Sequence, residues 1–532
     1  MSRKEKIIFI ISLTAFAVIY LNIFSPLDKT LDELIYNLYA YEGNISEMPQ
    51  LAHHLLFHTM QYLLTFITTP VGIMPLDGIR FIHIGIYVGL LYLIFSITYS
   101  LTGNKKLAIL STIIFGTSFT TLYQAMSAEP IFLSLFFLTF GYYLIKPDEE
   151  PRLVSYGTCG LVFALAVLIH QIVIPCIIGV VIYSVIMAFK YRSYLKPTLV
   201  MVSIFITTTI LTYAITAKLL LGIQNLKDIY LWLTYYGHKQ WGLGFPKNII
   251  FTPIAFIRVL YRGQAIADWL NFSANDWRLP LTTIALALVS IFVGYLIILF
   301  LKNIKKLLSN MNWIYTIFIG MPLLLILISV VIFMSQNYEY YIIIIAHLAI
   351  LLPLTFFNKN STHIKKILIA FIIILFLSNT ILEFLPQSIL YPISAPLYHL
   401  NASFKNIKLS KYDTVISTLG DKLGLFILYR LRKNYNTTQI NWTIIVDKNS
   451  NKLNIQKLEE IENHIENVKA SGKNVYLTGE VINPPEPKFR LFRHTTYPFG
   501  YEIGKRWKDR LKDTGEKFLF KGRYYKIYEF TR

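Results

Sequence analysis

The chain has 532 residues, of which 55% are hydrophobic and only 15% charged, with a mean hydropathy of +0.51. A soluble domain carries about 25% charged residues, so composition argues against a soluble globular fold. The formal net charge of +20 does not point to nucleic acid, because the basic residues fall in short loops that fix topology and in the tail. Two cysteines, Cys159 and Cys176, sit inside apolar runs as small core residues, and no disulfide framework or zinc cluster can be built from them.

Apolar runs of roughly 17 to 25 residues recur along the chain, the length of a membrane-spanning helix. The first, Ile7–Phe24, follows Ser2-Arg3-Lys4-Glu5-Lys6 and lacks a small-x-small cleavage site, so it reads as an uncleaved signal anchor. Next come Phe81–Leu101, Leu107–Leu122, Pro130–Ile145, Leu153–Ile169, Ile172–Phe189 and Thr198–Leu221. Leu281–Leu301, Trp313–Met334, Tyr341–Phe357 and Ile367–Leu385 complete the set. With the N-terminus inside, Lys105-Lys106, Lys190 to Lys196, Lys302 to Lys306 and Lys359 to Lys366 all face the cytoplasm, and Lys146 to Arg152 is the one mixed loop. The expectation is an α-helical polytopic membrane protein of about eleven transmembrane helices, N-terminus in and C-terminus out. Its membrane domain covers 1–385, with long outer loops at 25–80 and 222–280. From 386 to 532 the chain becomes richer in charge, and strand-like runs (Thr414–Thr418, Trp442–Val446, Asn474–Thr478, Tyr524–Phe530) alternate with helix-like ones (Lys422–Leu431, Ile455–Ala470). That pattern predicts a small extracytoplasmic α/β domain.

Residues with chemical potential gather on the outer side of this topology. Asp32 and Glu33 head an amphipathic stretch just past the first span; an acidic pair there also serves as a plain helix start. Farther on, His53, His54 and His58 fall in Met48–His58. The i, i+4 pair His54 and His58 has metal-ligand spacing, but the preferred reading is interfacial histidines on a helix lying on the membrane. Glu129 opens the fourth span as Glu129-Pro130, either as a cap or as a carboxylate at costly depth. His170 breaks two apolar runs and reads equally as a loop residue. In the second outer loop Arg258 and Arg262, spaced i, i+4, with Lys239 before them and Lys218 near the end of the seventh span, offer positive charge at the membrane surface. Guanidinium groups grip phosphate oxygens in pairs; snorkelling beside Trp232 and Trp241 is the competing reading.

Asp-Glu after the first span, a histidine-bearing amphipathic segment about twenty residues on, and acid-Pro opening the fourth span together resemble the GT-C glycosyltransferases. The nearest branch holds the protein O-mannosyltransferases and the aminoarabinose transferase of lipid A. The resemblance covers Met1 to Leu221 and, beyond that, the architecture alone. It implies that Asp32 is the catalytic base and Glu129 the acid opening the fourth span, with Glu33 beside the base. Two departures stand out: many members have a basic residue followed by Pro-Pro where this chain has His53-His54, and Asp-Pro where it has Glu129-Pro130. The implied activity is transfer of a hexose or pentose, with inversion, from a polyprenyl-phosphate-linked donor to a lipid, glycan or protein acceptor outside a bacterial or archaeal cell membrane. The resemblance implies no particular cofactor and leaves a divalent metal open, and no nucleic acid is expected. One base suffices, because phosphate leaves without protonation. A secondary transporter or a lipid or polysaccharide flippase is the alternative; it predicts inverted repeats and Gly/Pro-broken helices, and neither is evident.

Overall fold

A computed structural model describes residues 3–23, 54–71, 75–147, 149–234, 247–263, 266, 278–310, 313–333, 338–356 and 362–385, and in the tail 413–417, 436–439, 446–447, 452–453, 455–478, 506–520 and 523–531. These divide into two compact units, one taking the described residues up to 263 and from 280 to 383, the other mainly those from 384 onward.

The first unit is helical. Its helices are α1 (Arg3–Ile23), α2 (Leu55–Thr68), α3 (Pro75–Thr102), α4 (Lys105–Thr117), α5 (Phe119–Met126), α6 (Pro130–Ile145), α7 (Leu153–Ile169) and α8 (Ile174–Lys190). They continue with α9 (Leu195–Ile215), α10 (Leu226–Leu233), α11 (Lys247–Leu260), α12 (Leu279–Asn310), α13 (Trp313–Phe333), α14 (Tyr341–Phe356) and α15 (Thr362–Ser378). π-helical turns at Thr216–Leu220 and Asn379–Phe384 prolong α9 and α15. The described residues of the expected apolar runs are largely helical, but Leu107–Leu122 is not one rod: α4 and α5 meet at Ser118 with a bend of 65°. By length and composition, four helices among the described residues are able to cross a membrane, or five with the bent pair taken as one span; shorter apolar helices include Pro130–Ile145 and Leu153–Ile169. The protein is thus mostly helical, with several apolar helices, as a polytopic membrane protein requires.

Close packing explains the small residues in these helices. Helix α7 packs against both α6 and α9, and α8 against α13. A Cβ at Gly160 would collide with the Met201 carbonyl oxygen of α9, and one at Gly179 with the backbone nitrogen of Pro322 in α13. Glycine lets the backbones approach where apolar surroundings supply no hydrophobic drive between helices.

The tail builds a five-stranded sheet in the order β2-β1-β5-β7-β6 and a two-stranded β3-β4 ribbon. The strands are β1 (Thr414–Ser417), β2 (Asn436–Gln439), β3 (Val446–Asp447), β4 (Lys452–Leu453), β5 (Val475–Thr478), β6 (Leu511–Phe520) and β7 (Arg523–Phe530). β1 runs parallel to β2 and β5, whereas β7 is antiparallel to β5 and to β6. Helix α16 (Ile455–Ala470) turns Leu458, Ile461, Ile465 and Val468 inward at helical spacing, onto Val475, Leu477, Trp507 and Phe530. The expected strands at 414, 475 and 524 and the helix at 455 are present. Of Trp442–Val446 only Val446 is a described strand residue, and Lys422–Leu431 lies outside the described residues. Strand β6 was not foreseen, because Leu511–Phe520 carries four charged residues, Gly515 and a bulge between Asp513 and Lys517 that break the alternation.

On α16, Glu462 accepts two hydrogen bonds from Arg506, at 2.8 and 2.7 Å, and one from Trp507 Nε1 at 2.7 Å. Partial burial pushes its carboxyl pKa up, but the hydrogen bonds from Arg506 and Trp507 and the charges of Arg506 and Arg510 outweigh it and hold the carboxyl below its usual range. A carboxyl depressed by folding stabilises the fold above its unfolded pKa and loses that contribution as the pH falls through the folded value.

Two predictions follow from this packing. Gly160→Ala will lower the thermal stability of the detergent-solubilised protein by about 1–3 kcal/mol, whereas Gly294→Ala, where a Cβ meets open space, will be neutral or stabilising. In the tail, amide-exchange protection of Val475–Thr478, corrected for the intrinsic pH dependence, will fall as the pH drops below about 4.5. Glu462→Gln will lower that protection at neutral pH and flatten its acid dependence.

Candidate active site

Hydrogen bonds sort the helix ends of the first unit into two sets. At one end lie charged residues: Lys105 Nζ bonds Glu5 at 2.9 Å, Lys146 bonds Glu149 at 2.7 Å, and Lys190 Nζ lies 4.0 Å from the centre of the Trp313 ring. At the other, Tyr20 at the end of α1 meets Thr380 at 2.8 Å, and Ser134 at the start of α6 bonds the Ala166 carbonyl of α7 at 2.8 Å. Gln171 Nε2 donates to the Tyr213 hydroxyl of α9 at 3.1 Å.

The break at Ser118 builds this second end. Ending a helix strands its last carbonyls, and in an apolar bundle no water takes them up. The Ser118 hydroxyl donates to Phe115 O at 2.9 Å, Tyr87 OH donates to Gly116 O at 2.9 Å, and Asn379 Nδ2 donates to Thr117 O at 3.0 Å. Asn379 also donates to Leu260 O at the end of α11, at 2.9 Å. Three successive carbonyls are satisfied by three different elements. Past the break α5 is buried along its whole length and ends at Ser127, whose hydroxyl bonds Gln124 O and Oε1 at 3.1 and 3.0 Å.

Two residues later Glu129 is the N-cap of α6, with Pro130 in the first turn. It is 6% exposed, and its amide donates to Ser127 Oγ at 3.4 Å. His83 of α3, fully buried, places Nδ1 3.2 Å from Gln124 O. A carbonyl only accepts, so the His83 ring proton is on Nδ1.

The histidines form a second group. His54, His58 and His170 are 4%, 1% and 6% exposed. His54 stacks edge-on against His170 at 4.5 Å and against His58 at 5.8 Å, and His170 lies 5.5 Å from Tyr340. His170 Nδ1 accepts from Ile172 N–H at 3.2 Å, so it caps the turn that opens α8. The expectation of an interfacial helix carrying His54 and His58 is corrected here: α2 packs both rings inward, against the end of α7. Among the described residues no group of three or more His, Cys, Asp or Glu gathers as metal ligands.

The basic residues separate. Arg262 sets its guanidinium carbon 5.8 Å from the Phe119 ring and 6.0 Å from the Tyr123 ring, both on α5. Thr120 of α5 donates to Val259 O at 3.3 Å, tying α11 to the same helix. Helix α11 stops at Leu260, so Arg258 lies within it and Arg262 beyond it; the expected pairing on one helical face is replaced by a turn that brings Arg262 to α5. Lys218 is exposed within the π-helical turn at Thr216–Leu220. Trp232 packs on Tyr213 at 5.9 Å. Asp32, Glu33, His53 and Lys239 lie outside the described residues.

Sequence reasoning passed over His83, Gln124, Asn379 and Glu383, all fully buried. The usable signal was a polar side chain inside an apolar run, which is retained in a membrane only where it is partnered. Asn379→Leu, which orphans two carbonyls at once, will destabilise the solubilised protein by about 2–4 kcal/mol in thermal unfolding; Ser290→Ala, whose hydroxyl bonds only its own helix, will change it little.

No known protein family matches the sequence, and no curated protein matches it in sequence. In structure the chain is similar to ArnT from Cupriavidus metallidurans bound to undecaprenyl phosphate, with a TM-score of 0.52 at 8% identity, over 99% of this chain and 98% of that one. It is also similar to the arabinofuranosyltransferase AftD from Mycobacteria, with a TM-score of 0.45 at 11% identity over 100% of this chain and 42% of that one. The Archaeoglobus fulgidus oligosaccharyltransferase tethered with an acceptor peptide gives a TM-score of 0.43 at 11% identity, over 98% and 74% of the two chains. The likeness to ArnT shows the fold: the helical architecture is similar to that of ArnT over nearly the whole of both chains.

Proposed function

We propose that this chain is an integral membrane glycosyltransferase that moves a sugar from a polyprenyl-phosphate donor to an acceptor on the extracytoplasmic face. The observation that carries the reading is the polar end built around the Ser118 break, with Glu129, His83 and the stacked histidines buried in a fold shared with ArnT over 99% of the chain. ArnT is bound to undecaprenyl phosphate; a sugar carried on a lipid phosphate of that kind is the source available outside the cytoplasm, where nucleotide sugars are not supplied. Eleven crossings with the N-terminus inside, a membrane domain over 1–385 and an extracytoplasmic domain over 386–532 belong to the same reading. The lysine end of the bundle is then cytoplasmic and the histidine end outward.

In this mechanism the acceptor hydroxyl attacks the anomeric carbon from the face opposite the phosphate. The carbon–oxygen bond to phosphate breaks, its electron pair leaves with the phosphate, and the configuration inverts. Asp32 takes the hydroxyl proton as general base, with Glu33 beside it. Arg262 holds the departing phosphate, and Arg258, Lys239 and Lys218 add positive charge around it. Glu129 sits at a helix N-terminus, where the dipole favours negative charge, and serves to orient the acceptor or the base. His53, His54 and His170 line the donor side. The acceptor is a lipid, glycan or protein.

The test pairs donor binding with transfer in purified, folded variants, using bare polyprenyl phosphate as the binding probe and a panel of polyprenyl-phosphate hexoses and pentoses as donors. Asp32→Asn will lower turnover by about 10²- to 10⁴-fold and leave binding of the lipid phosphate unchanged. Arg262→Ala will weaken that binding by about tenfold or more. Wild-type turnover in Asp32→Asn would end the base assignment. Lipid movement across a bilayer with no sugar transfer would favour a flippase.

A further inference from the structure

At the lysine end, opposite the candidate active site, the helical unit has an open-mouthed cavity of about 320 Å³. That falls in the range of roughly 300–1,000 Å³ typical of small-molecule sites. Tyr92, Ser96 and Tyr99 line it at i, i+4 and i+7 from α3, Tyr143 and Lys146 from the end of α6, and Phe318 from α13. Its floor is buried: Tyr142 is 3% and Phe318 0% exposed. Tyr142 OH lies 2.8 Å from His347 Nε2, and His347 Nδ1 lies 2.7 Å from the Ile343 carbonyl oxygen. The carbonyl only accepts, so Nδ1 carries the ring proton and Tyr142 donates to Nε2. The floor is therefore a satisfied polar pair, locked in place.

The rim is different. Lys146 and Glu149 form a 2.7 Å ion pair there, with side chains 45% and 48% exposed. Lys146 has φ +33°, the only positive φ of a non-glycine among the described residues. It closes α6, where glycine or asparagine is the ordinary choice. Backbone strain of this kind collects at ligand clamps. The loop is also exceptional in charge. Residues 146–152 carry Lys146, Asp148, Glu149, Glu150 and Arg152, whereas 103–106 and 190–196 carry only cations.

We propose that this cavity binds a zwitterionic phospholipid of the adjacent leaflet through a phosphoethanolamine headgroup. Lys146 takes the phosphate and Glu149 the ammonium, each exchanging its present partner for the opposite charge of the headgroup. The surplus of carboxylates disfavours a purely anionic lipid. A carboxylate also hydrogen-bonds an N–H ammonium and not a quaternary one, so phosphatidylcholine is discriminated against. Tyr92, Tyr99 and Phe318 pack the glycerol and the first acyl carbons.

The test is native mass spectrometry of the full chain released from micelles containing equal amounts of phosphatidylethanolamine, phosphatidylcholine and phosphatidylglycerol with the same acyl chains. Phosphatidylethanolamine adducts will exceed each of the others by about fivefold, the scale of a half-exposed ion pair. Glu149→Gln will erase the preference over phosphatidylcholine. Lys146→Gly will lose the adduct while its thermal midpoint stays level or rises, because glycine relieves the positive φ. A loss of both binding and stability in Lys146→Gly would make Lys146 structural and overturn the proposal. Equal or stronger phosphatidylglycerol binding would overturn it, as would wild-type phosphatidylethanolamine retention in Lys146→Gly. Displacement of the lipid by free O-phosphoethanolamine would assign the cavity to a soluble ligand instead. None of these readouts depends on sugar transfer, so the site stands or falls apart from the proposed enzymatic activity.

Discussion

A helix interrupted inside an apolar bundle must find hydrogen-bond partners for the carbonyls it strands, and the break at Ser118 answers that demand with side chains from three separate elements. Tyr87 comes from α3, Asn379 from the π-helical turn after α15, and Ser118 from the break itself. Because each donor is committed, the break holds α3, α5 and the end of α15 together. Asn379 uses its second hydrogen to bind Leu260, so the end of α11 is held as well. From that junction α5 runs to Glu129 and α11 to Arg262. The placement of an acid and a cation near one helix is a consequence of satisfying backbone, before any chemistry is considered.

The helices were legible in the sequence because a membrane-length run is a strong, redundant signal: Pro130–Ile145 and Leu153–Ile169 coincide with α6 and α7 to the residue. The interruption at Ser118 was not legible. Thr117-Ser118-Phe119 contains neither proline nor a glycine at the break, and serine and threonine sit comfortably inside apolar helices by bonding their own backbone. What breaks the helix is tertiary, a set of donors reaching in from residues 29 and 262 positions away in sequence. In the tail, Ile455–Ala470 was readable because its apolar residues keep helical spacing, whereas the charged edge strand Leu511–Phe520 has no such period.

The site shows the same division. Glu129 and His170 were identified from polar interruptions between apolar runs, and both lie buried at the same end of the bundle. His54 and His58 were identified for their spacing, but spacing does not say which way a helix face turns. Leu55, Leu168 and Tyr213 form one apolar cluster that draws α2 inward, and the two rings go with it. His83 lay hidden in the run Phe81–Leu101, where a single polar residue barely alters mean hydropathy. Its only trace is its cost, since a buried imidazole needs a partner, and it has one in the Gln124 carbonyl.

The two ends of the helical unit treat charge in opposite ways, and that contrast bears on where chemistry belongs. At the lysine end the ion pairs are half exposed: Lys105 and Glu5 are 47% and 49% accessible, so water screens them and they contribute little to stability. At the histidine end Glu129, His54, His83 and His170 are each no more than 6% exposed. Buried polar groups are expensive, and their interactions are correspondingly strong in a low dielectric. A transfer reaction that develops charge at a sugar carbon and releases phosphate gains most from groups already desolvated and held in place, because they need not reorganise as the bond breaks. The lysine end also holds a buried polar pair, Tyr142 with His347, but the buried carboxylate Glu129 and the cluster of His54, His58 and His170 lie at the other end, near a junction held by backbone demand. That asymmetry is why the second end is the better candidate for catalysis, and why the lysine end suits recognition of a headgroup that water also reaches.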